Sequence, residues 1–281
     1  MENNILREFI LRSLEEDIGD GDHSSLACIK EETAGSAKLL IKEKGLLAGI
    51  RVAKELFAII DKDLKMEVLL EDGSIVEPGD IAFFISGKHR SILKSERLVL
   101  NIMQRMSGIA TSTREYVLKL KGLKTKILDT RKTTPGFRFL EKEAVRIGGG
   151  VNHRMGLYDM IMLKDNHIDY AGGIEKAIIL TREYLKKNNL NLKVEIEARN
   201  LNDIRAIILA GGVDRIMLDN FTIEDTRSAV KLISGRFETE SSGGINLDTL
   251  RSYAECGVDF ISVGALTHHI KSLDMSLKAI L

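Results

Sequence analysis

The sequence is poor in residues that staple or stiffen a chain. Of 281 residues, two are cysteine and two are proline. Cys28 and Cys256 are far apart and in no ligand-like spacing, which argues against a disulfide framework or a zinc site and fits a reducing cytoplasm. Net charge is also missing. The 41 basic side chains balance 41 acidic ones, so no long-range field favours nucleic acid or an anionic membrane, and any anion site has to be a local cluster. No apolar run is long enough to span a bilayer. The mixed-charge opening MENNILREFILRSLEED has no signal-peptide core, and a cytoplasmic location is expected. Nothing resembles a glycine-rich dinucleotide loop, a P-loop or a serine-type triad. What is there is an ordinary globular composition, 44% hydrophobic and 29% charged, long enough for one large α/β domain or a barrel with a smaller domain.

Two patterns divide the chain. The first opens with a predicted helix from Ile5 to Glu16, followed by the polar turn DIGDGDHSS. Short β-like runs come next, AKLLIKEKGLLAG, MEVLLEDGSIVEPGD and IAFFISGK. EDGSIVEPGD reads as a hairpin with Gly73, Pro78 and Gly79 in its turns, and GIRVAKELFAIID as a helix lying across an antiparallel sheet. Ser95 to Lys121 reads as a long helix, with Leu98, Ile102, Met106 and Ile109 on one face.

Beyond it the pattern becomes strand and helix in alternation. Apolar strands are predicted over 125–129, 159–163, 192–198, 214–219, 236–241 and 258–264. Thr222 to Asp225 forms a capping box at one of the intervening helices. The later units repeat at roughly 21 to 23 residues, which argues for a parallel α/β barrel. Six strands are fewer than the usual eight.

Sites in such barrels gather at the carboxyl ends of the strands. Here those ends carry Asp129-Thr130-Arg131-Lys132, Lys164-Asp165-Asn166-His167, Glu195 with Glu197, Asp219-Asn220, Ser241-Ser242-Gly243-Gly244, and Gly264. Ser242, Gly243 and Gly264 suit a phosphate at the last two strand ends, because glycine lets the backbone approach an anion closely; the same glycines also make tight βα turns. Glu197 and Asp219, on adjacent strands, suit a Mg²⁺ that keeps several waters, or a pair of carboxylates facing Arg131 or Lys164.

From Thr130 to Met162 there are six cations, Arg131, Lys132, Arg138, Lys142, Arg146 and Arg154, against three carboxylates. Lys142 and Arg146 are (i, i+4) on a helical stretch and are read as a solvated face. Arg131, Lys132, His153, Arg154 and Lys164 lie on strand ends or in the loop GGGVNHRMG, and converging guanidinium forks imply planar carboxylates or phosphates. Lys164 also admits a Schiff base with a carbonyl substrate, as in an aldolase. His268 and His269 are read as structural.

The segment DTRKTTPGFRFLEKEAVRIGGGVNHRMGLYDMIMLKDNHI, residues 129 to 168, resembles the signature of quinolinate phosphoribosyltransferases. The resemblance continues through LEEDIGDGDHSS, ERLVLNIMQRMSGIAT, VEIEARN, IMLDNF, ESSGGIN and GVDFISVGALTH, almost the whole chain. It departs at Ala198-Arg199, where a valine and an acidic residue are commoner; neither is a ligand position.

The resemblance implies an α+β open-faced antiparallel sandwich over residues 1–105, an incomplete parallel α/β barrel over 106–269, and a C-terminal helix over 270–281 packing on the first domain. It implies a homodimer or higher assembly, no nucleic-acid or membrane partner, and Mg²⁺ as cofactor. The activity implied is phosphoribosyl transfer from phosphoribosyl pyrophosphate to quinolinate, with decarboxylation to nicotinate mononucleotide. The alternatives are a related transferase for another pyridine carboxylate, and a Schiff-base aldolase at Lys164. Matched position by position, Arg131, His153 and Arg154 would hold the quinolinate carboxylates with Thr130 beside them, and Arg105 would reach them from the other subunit. Lys132 and Lys164 would contact substrate and pyrophosphate oxygens. Glu197 and Asp219 would serve Mg²⁺ and the ribose hydroxyls, and Ser242, Gly243 and Gly264 the 5-phosphate. Lys132, Lys164, Glu197 and Asp219 are the catalytic set. Arg138, past the turn at Pro135-Gly136, is expected to anchor the loop.

Overall fold

The computed structural model describes residues 2–280, which fall into two compact units. One comprises the chain up to Arg114, Pro135–Gly149 and the chain from His269 on; the other comprises Glu115–Thr134 and Gly150–His268. In chain order the elements are α1 (Glu2–Ile18), α2 (His23–Cys28), β1 (Ala34–Ile41), β2 (Gly45–Leu46), α3 (Ile50–Ile60), β3 (Lys65–Val68), β4 (Ile75–Val76), β5 (Ile81–Lys88) and α4 (His89–Lys119). They continue as β6 (Lys126–Leu128), α5 (Arg138–Ile147), β7 (Ile161–Leu163), α6 (Asp165–Ala171), α7 (Ile174–Lys187), β8 (Val194–Ala198) and α8 (Leu201–Ala210). The last are β9 (Arg215–Asp219), α9 (Ile223–Ile233), β10 (Glu238–Ser242), α10 (Leu250–Ala254), β11 (Phe260–Ser262), α11 (Ala265–His268) and β12 (Met275–Ile280). No helix among the described residues is long and apolar enough to cross a membrane.

The first unit holds a four-stranded antiparallel sheet in the order β12-β1-β5-β3. Its buried face is an apolar ladder: Ala37 pairs with Ile85 and Leu39 with Phe83, all at most 4% exposed. Phe57 on α3 meets Phe83 edge-on at 5.8 Å between ring centroids, so α3 lies on this sheet as its amphipathic sequence requires. The N-terminus of α3 is capped from a distance, Asp72 Oδ1 accepting the N–H groups of Gly49 and Ile50 at 2.7 and 2.8 Å. On α4 the stripe Leu98, Ile102, Met106 and Ile109 is buried as its spacing predicts.

Four expectations fail in this unit. The C-terminal segment is a strand, with β12 completing the sheet beside β1 in the register Ser36 with Ile280 through Ile41 with Met275; a helix would leave that edge unpaired. EDGSIVEPGD is no hairpin, since β4 pairs with β2 and β3 with β5, although Gly73 and Gly79 do take positive φ. Residues 135–149, expected in the barrel, belong with the first unit. There Phe137 and Phe139 pack edge-on around Phe9 at 5.5 and 5.6 Å, and Glu143 binds Arg51 at 2.6 Å. Lys142 is 1% exposed, so α5 shows no solvated Lys142 face, while Arg146 is exposed. Arg138 opens α5.

The second unit is a six-stranded parallel sheet in the order β6-β11-β10-β9-β8-β7, with helices between successive strands. All six strands coincide with the predicted segments to within a few residues. β6 and β7 end the order, and β6 is extended by a parallel bridge from Leu128 to Val151, so the barrel is incomplete. Thr222 caps α9 by accepting the Asp225 N–H at 3.1 Å, as the capping box predicts. Strand alternation sends Ile196, Ile216, Leu218 and Ile261, all fully buried, to the helix side. Glu195, Glu197, Arg215, Asp219, Glu240 and Ser242 occupy the other phase, so the interior that aliphatic layers usually fill is charged.

Candidate active site

The carboxyl ends of these strands surround a cavity of about 900 Å³. Its lining includes Thr130, Arg131, Lys132, His153, Arg154, Lys164, Glu197, Asp219, Ser242, Gly243 and Gly264. Every barrel residue singled out from the sequence for the site therefore meets in one place. Arg105 is not among the lining residues. It sits on α4 in the first unit, where its Nε and Nη2 donate to Glu141 Oε1 at 2.9 and 2.6 Å.

One wall is cationic. Arg131 and Lys132 leave the end of β6 exposed. Arg154 follows β6 in the loop to β7; its backbone N–H is held by His153 Nδ1 at 2.6 Å and its Nη1 donates to the Met160 carbonyl at 3.2 Å. Burial lowers the Arg154 pKa, and the neighbouring Arg131 charge lowers it further. Two guanidiniums that repel each other in a partly desolvated wall gain most from a bidentate anion between them.

The opposite wall is acidic. Lys164, at the start of α6, ion-pairs with Glu197, which also accepts the Asp165 N–H at 3.2 Å. The Asp219 pKa is raised by burial and then by the charge of Glu197, with Lys164 and the Asn220 amide opposing the shift. A Schiff-base lysine has to be desolvated and neutral; the Lys164 side chain is 46% exposed and paired with a carboxylate, which suits a charged anion ligand.

Glycines shape the third side. Gly243 has φ +101°, and a Cβ there would lie 2.9 Å from the Asn220 backbone nitrogen. Asn220 is itself left-handed at φ +56°. It donates its N–H to the Ser242 carbonyl and its amide to Asp219 Oδ2, both at 2.9 Å, so it ties the acidic end of β9 to the glycine turn after β10. A Cβ on Gly264 would meet His268 Nε2 at 2.9 Å and Lys132 Cδ at 3.2 Å.

His268 thus lines the cavity, contrary to its reading as structural, and Asn220, Glu240 and Ser262 line it too. Glu240 and Asn220 could have been found by period-two phasing from Ser242 and by adjacency to Asp219. His268 depends on where the chain turns after β11, which no spacing signals.

Below the cavity lies an ionic core. Arg215 Nη1 is 2.9 Å from Glu240 Oε2, and Nη2 is 3.0 Å from Glu238 Oε2. The Arg215 guanidinium also sits 4.1 Å over the Phe260 ring. His153 Nε2 is 2.9 Å from Glu195 Oε2 and 3.5 Å from Glu240 Oε2. The carboxyls of Glu195 and Glu240 are raised to about 7 each, mainly by burial and in part by a carboxylate neighbour, with Arg215 opposing the shift. Ligand atoms of His153, Glu195 and Glu240 lie within 4.8 Å of one another, a spacing that could hold a metal. Arg215 already supplies the cation there.

The geometry defines a class, an α/β-barrel enzyme that binds phosphorylated, polyanionic ligands at its strand ends. The comparisons specify it. Residues 22–107 match the family model for the quinolinate phosphoribosyl transferase N-terminal domain, and residues 109–278 the model for its C-terminal domain. The chain is 44% identical over 288 residues to quinolinate phosphoribosyltransferase [decarboxylating] 1b of Nicotiana tabacum, covering 97% of this chain and 82% of that one. It is 43% identical to the probable nicotinate-nucleotide pyrophosphorylase [carboxylating] of Bacillus subtilis, covering 97% and 91%. The solved structure of NadC from Streptococcus pyogenes superposes with a TM-score of 0.93 at 39% identity, covering 98% of this chain and 97% of that one. The chain belongs to the quinolinate phosphoribosyltransferase family.

Proposed function

We infer that this enzyme transfers the phosphoribosyl group of phosphoribosyl pyrophosphate to quinolinate and releases pyrophosphate and CO₂, forming nicotinate mononucleotide for NAD synthesis. The observation that carries the assignment of roles is the sharing of one cavity by a paired-guanidinium wall, an acidic wall with Lys164, and two glycine turns. A pyridine dicarboxylate suits the first. A ribose with its diphosphate suits the second, and a 5-phosphate suits the third.

Arg131 and Arg154, with Thr130, grip the two carboxylates of quinolinate, and Arg105 of a second copy completes this subsite in a homodimer. Ser242, Gly243 and Gly264 cradle the 5-phosphate. Glu197 and Asp219 accept from the ribose hydroxyls, and Lys132 and Lys164 face the diphosphate. All-oxygen donors, with the Asp219 carboxyl raised by burial and then by the Glu197 charge, fit a hard divalent cation, so Glu197 and Asp219 are the residues that would hold Mg²⁺. When bound, Mg²⁺ neutralises charge on the diphosphate.

As the bond from C1 of the ribose to the diphosphate oxygen breaks, its electron pair leaves with pyrophosphate. Lys132 and Lys164 offset the growing charge. The pyridine nitrogen lone pair forms the new bond to C1. The nitrogen is now cationic, and it draws in the electron pair of the bond between C2 and its carboxylate. CO₂ departs, and C2 takes a proton. The protein's part is alignment and charge balance. Cytoplasmic residence is part of this reading, supported by two cysteines that are both free.

The test is incubation with quinolinate, phosphoribosyl pyrophosphate and Mg²⁺, following CO₂ and nicotinate mononucleotide. Stoichiometric formation of both is expected. Pyrophosphate release without CO₂, or an equal rate with nicotinate, overturns the assignment. Sedimentation of the purified protein as a monomer overturns the shared subsite.

A further inference from the structure

Arg131 and Arg154 flank α5 in the sequence, and chain order alone would assign α5 to their site. Its packing does not. α5 belongs with α4 in the first unit. Gly148, which ends the helix, lies against α4: a Cβ there would stand 2.6 Å from the Ala110 carbonyl oxygen and 2.6 Å from Thr113 Cβ. About two turns earlier on α5, Glu141 meets α4 again. Its Oε1 accepts from Arg105 Nε at 2.9 Å and from Arg105 Nη2 at 2.6 Å. Phe137 and Phe139 close around Phe9, and Glu143 takes Arg51 Nε and Nη2 at 2.9 and 2.6 Å. The helix is clamped along its length, and Glu141 is fixed beside Arg105.

The two members of this pair differ in exposure. The Glu141 side chain has no exposed surface, while that of Arg105 keeps 29% of its own. A buried carboxylate is costly unless it is partnered. Leu140 and Ala144 on the same helix are equally buried and apolar, so packing alone does not call for a carboxylate at 141. Glu141 is the anchor, and the guanidinium is the half that reaches the surface. Ordering a rotamer-rich side chain at an interface costs about 0.5–1.5 kcal/mol. An arginine already held by two hydrogen bonds has its fork oriented before the ligand arrives.

We propose that Glu141 is a positioning residue for the quinolinate subsite of the other subunit, holding Arg105 of its own chain in the orientation in which it completes that subsite. This rests on the reading of the enzyme as a homodimer in which Arg105 reaches the dicarboxylate across the interface. It gives α5 a part that its place in the sequence hides. Inserted between two arginines of one subunit, it serves the site of the other. Such a support acts on the dicarboxylate alone, whereas general loosening of the fold weakens both substrates.

Kinetics and hybrid dimers test it. In Glu141→Ala the KM for quinolinate is expected to rise about tenfold, with the KM for phosphoribosyl pyrophosphate within about twofold of the parent. Glu141→Gln is isosteric and keeps an acceptor oxygen without the charge, and a rise of about threefold in the quinolinate KM alone is expected. An unchanged quinolinate KM, or an equal rise for both substrates, overturns the proposal, and Glu141→Gln decides it if Glu141→Ala does not fold. The second test pairs a Glu141→Ala (or Glu141→Gln) chain with an Arg131→Ala chain in one dimer. If Glu141 acts across the interface, one of the two sites has every group intact, so the quinolinate KM returns to the parent value with about half the parent turnover per dimer. If Glu141 acts on its own barrel, each site carries a defect, the KM stays raised, and the proposal is overturned. The dimer of Arg105→Ala with Arg131→Ala is the control. If it shows no return of activity, the shared subsite fails and this inference with it. If it recovers while the Glu141 hybrid does not, only the positioning role fails.

Discussion

The two sheets of this protein bury their inner faces by opposite means. In the antiparallel sheet the residues in register are Ala37 with Ile85 and Leu39 with Phe83. In the barrel the corresponding ladder is Glu195 with Arg215 and Arg215 with Glu238, and Glu240 follows on the same face of β10. Apolar burial is non-directional and roughly proportional to area, so the first face makes a platform and specifies little else. Charged groups in a barrel interior persist only when each has a partner at the right angle. Such a face is less forgiving, but it fixes the orientation of whatever stands on it. The candidate site stands on the second face.

The contrast can be broken at either face. The largest change is expected from Phe83→Ala, which empties the centre of the apolar ladder and should cost about 3–5 kcal/mol of stability, read as a drop in the denaturant midpoint. Turnover per folded molecule should survive. A matching loss of kcat at low temperature would mean that the platform does more than support.

Lys164→Ala should behave in reverse. Half-exposed and paired to Glu197, Lys164 contributes little to the fold, so the melting curve should hold. Turnover should fall on the order of a hundred- to a thousandfold, the usual cost of removing one charge-stabilising donor. Near-normal turnover removes Lys164 from the mechanism.

Gly243→Ala should be smaller. The residue has φ +101° and its Cβ would lie 2.9 Å from the Asn220 nitrogen, so the turn has to shift. A rise of about tenfold in the KM for phosphoribosyl pyrophosphate is expected, with quinolinate little affected. The reverse pattern would move the phosphate elsewhere.

The smallest effect is a pH slope. Burial, and then the Glu195 charge, raise the Glu240 carboxyl from the usual 4.5 to about 7. The folded chain then binds this proton more tightly than the unfolded chain. Its contribution to stability is fully present below about 4.5 and fades as the pH climbs through about 7. Glu240→Gln should flatten that part of the stability profile; an unchanged slope assigns it to other groups.

Much of this was legible from local pattern. The six barrel strands, the α4 stripe, the Thr222 cap and the charged strand ends all follow from periodicities and turn chemistry within about a dozen residues. What failed was non-local. Met275–Ile280 is a strand because β1 offers it an edge more than two hundred residues away in sequence. Lys142 is buried because α5 joins the first unit and not the barrel, and no local window carries that choice. Among the site residues, Asn220 and Glu240 sit one and two residues from recognised positions. Their roles depend on which way each backbone faces its neighbour.

By itself the sequence determined the succession of elements and the chemical kinds gathered at the strand ends, because hydrophobic period and glycine placement act over short range. Its motifs also carried the family. Only the tertiary structure decided what each charge touches. Arg131 and Arg154 line the open cavity, while Arg215, no less polar, faces the barrel carboxylates, and His153 meets both. The reason is that an ionic group is defined by its partners within a few ångströms, and here those partners come from strands tens of residues apart.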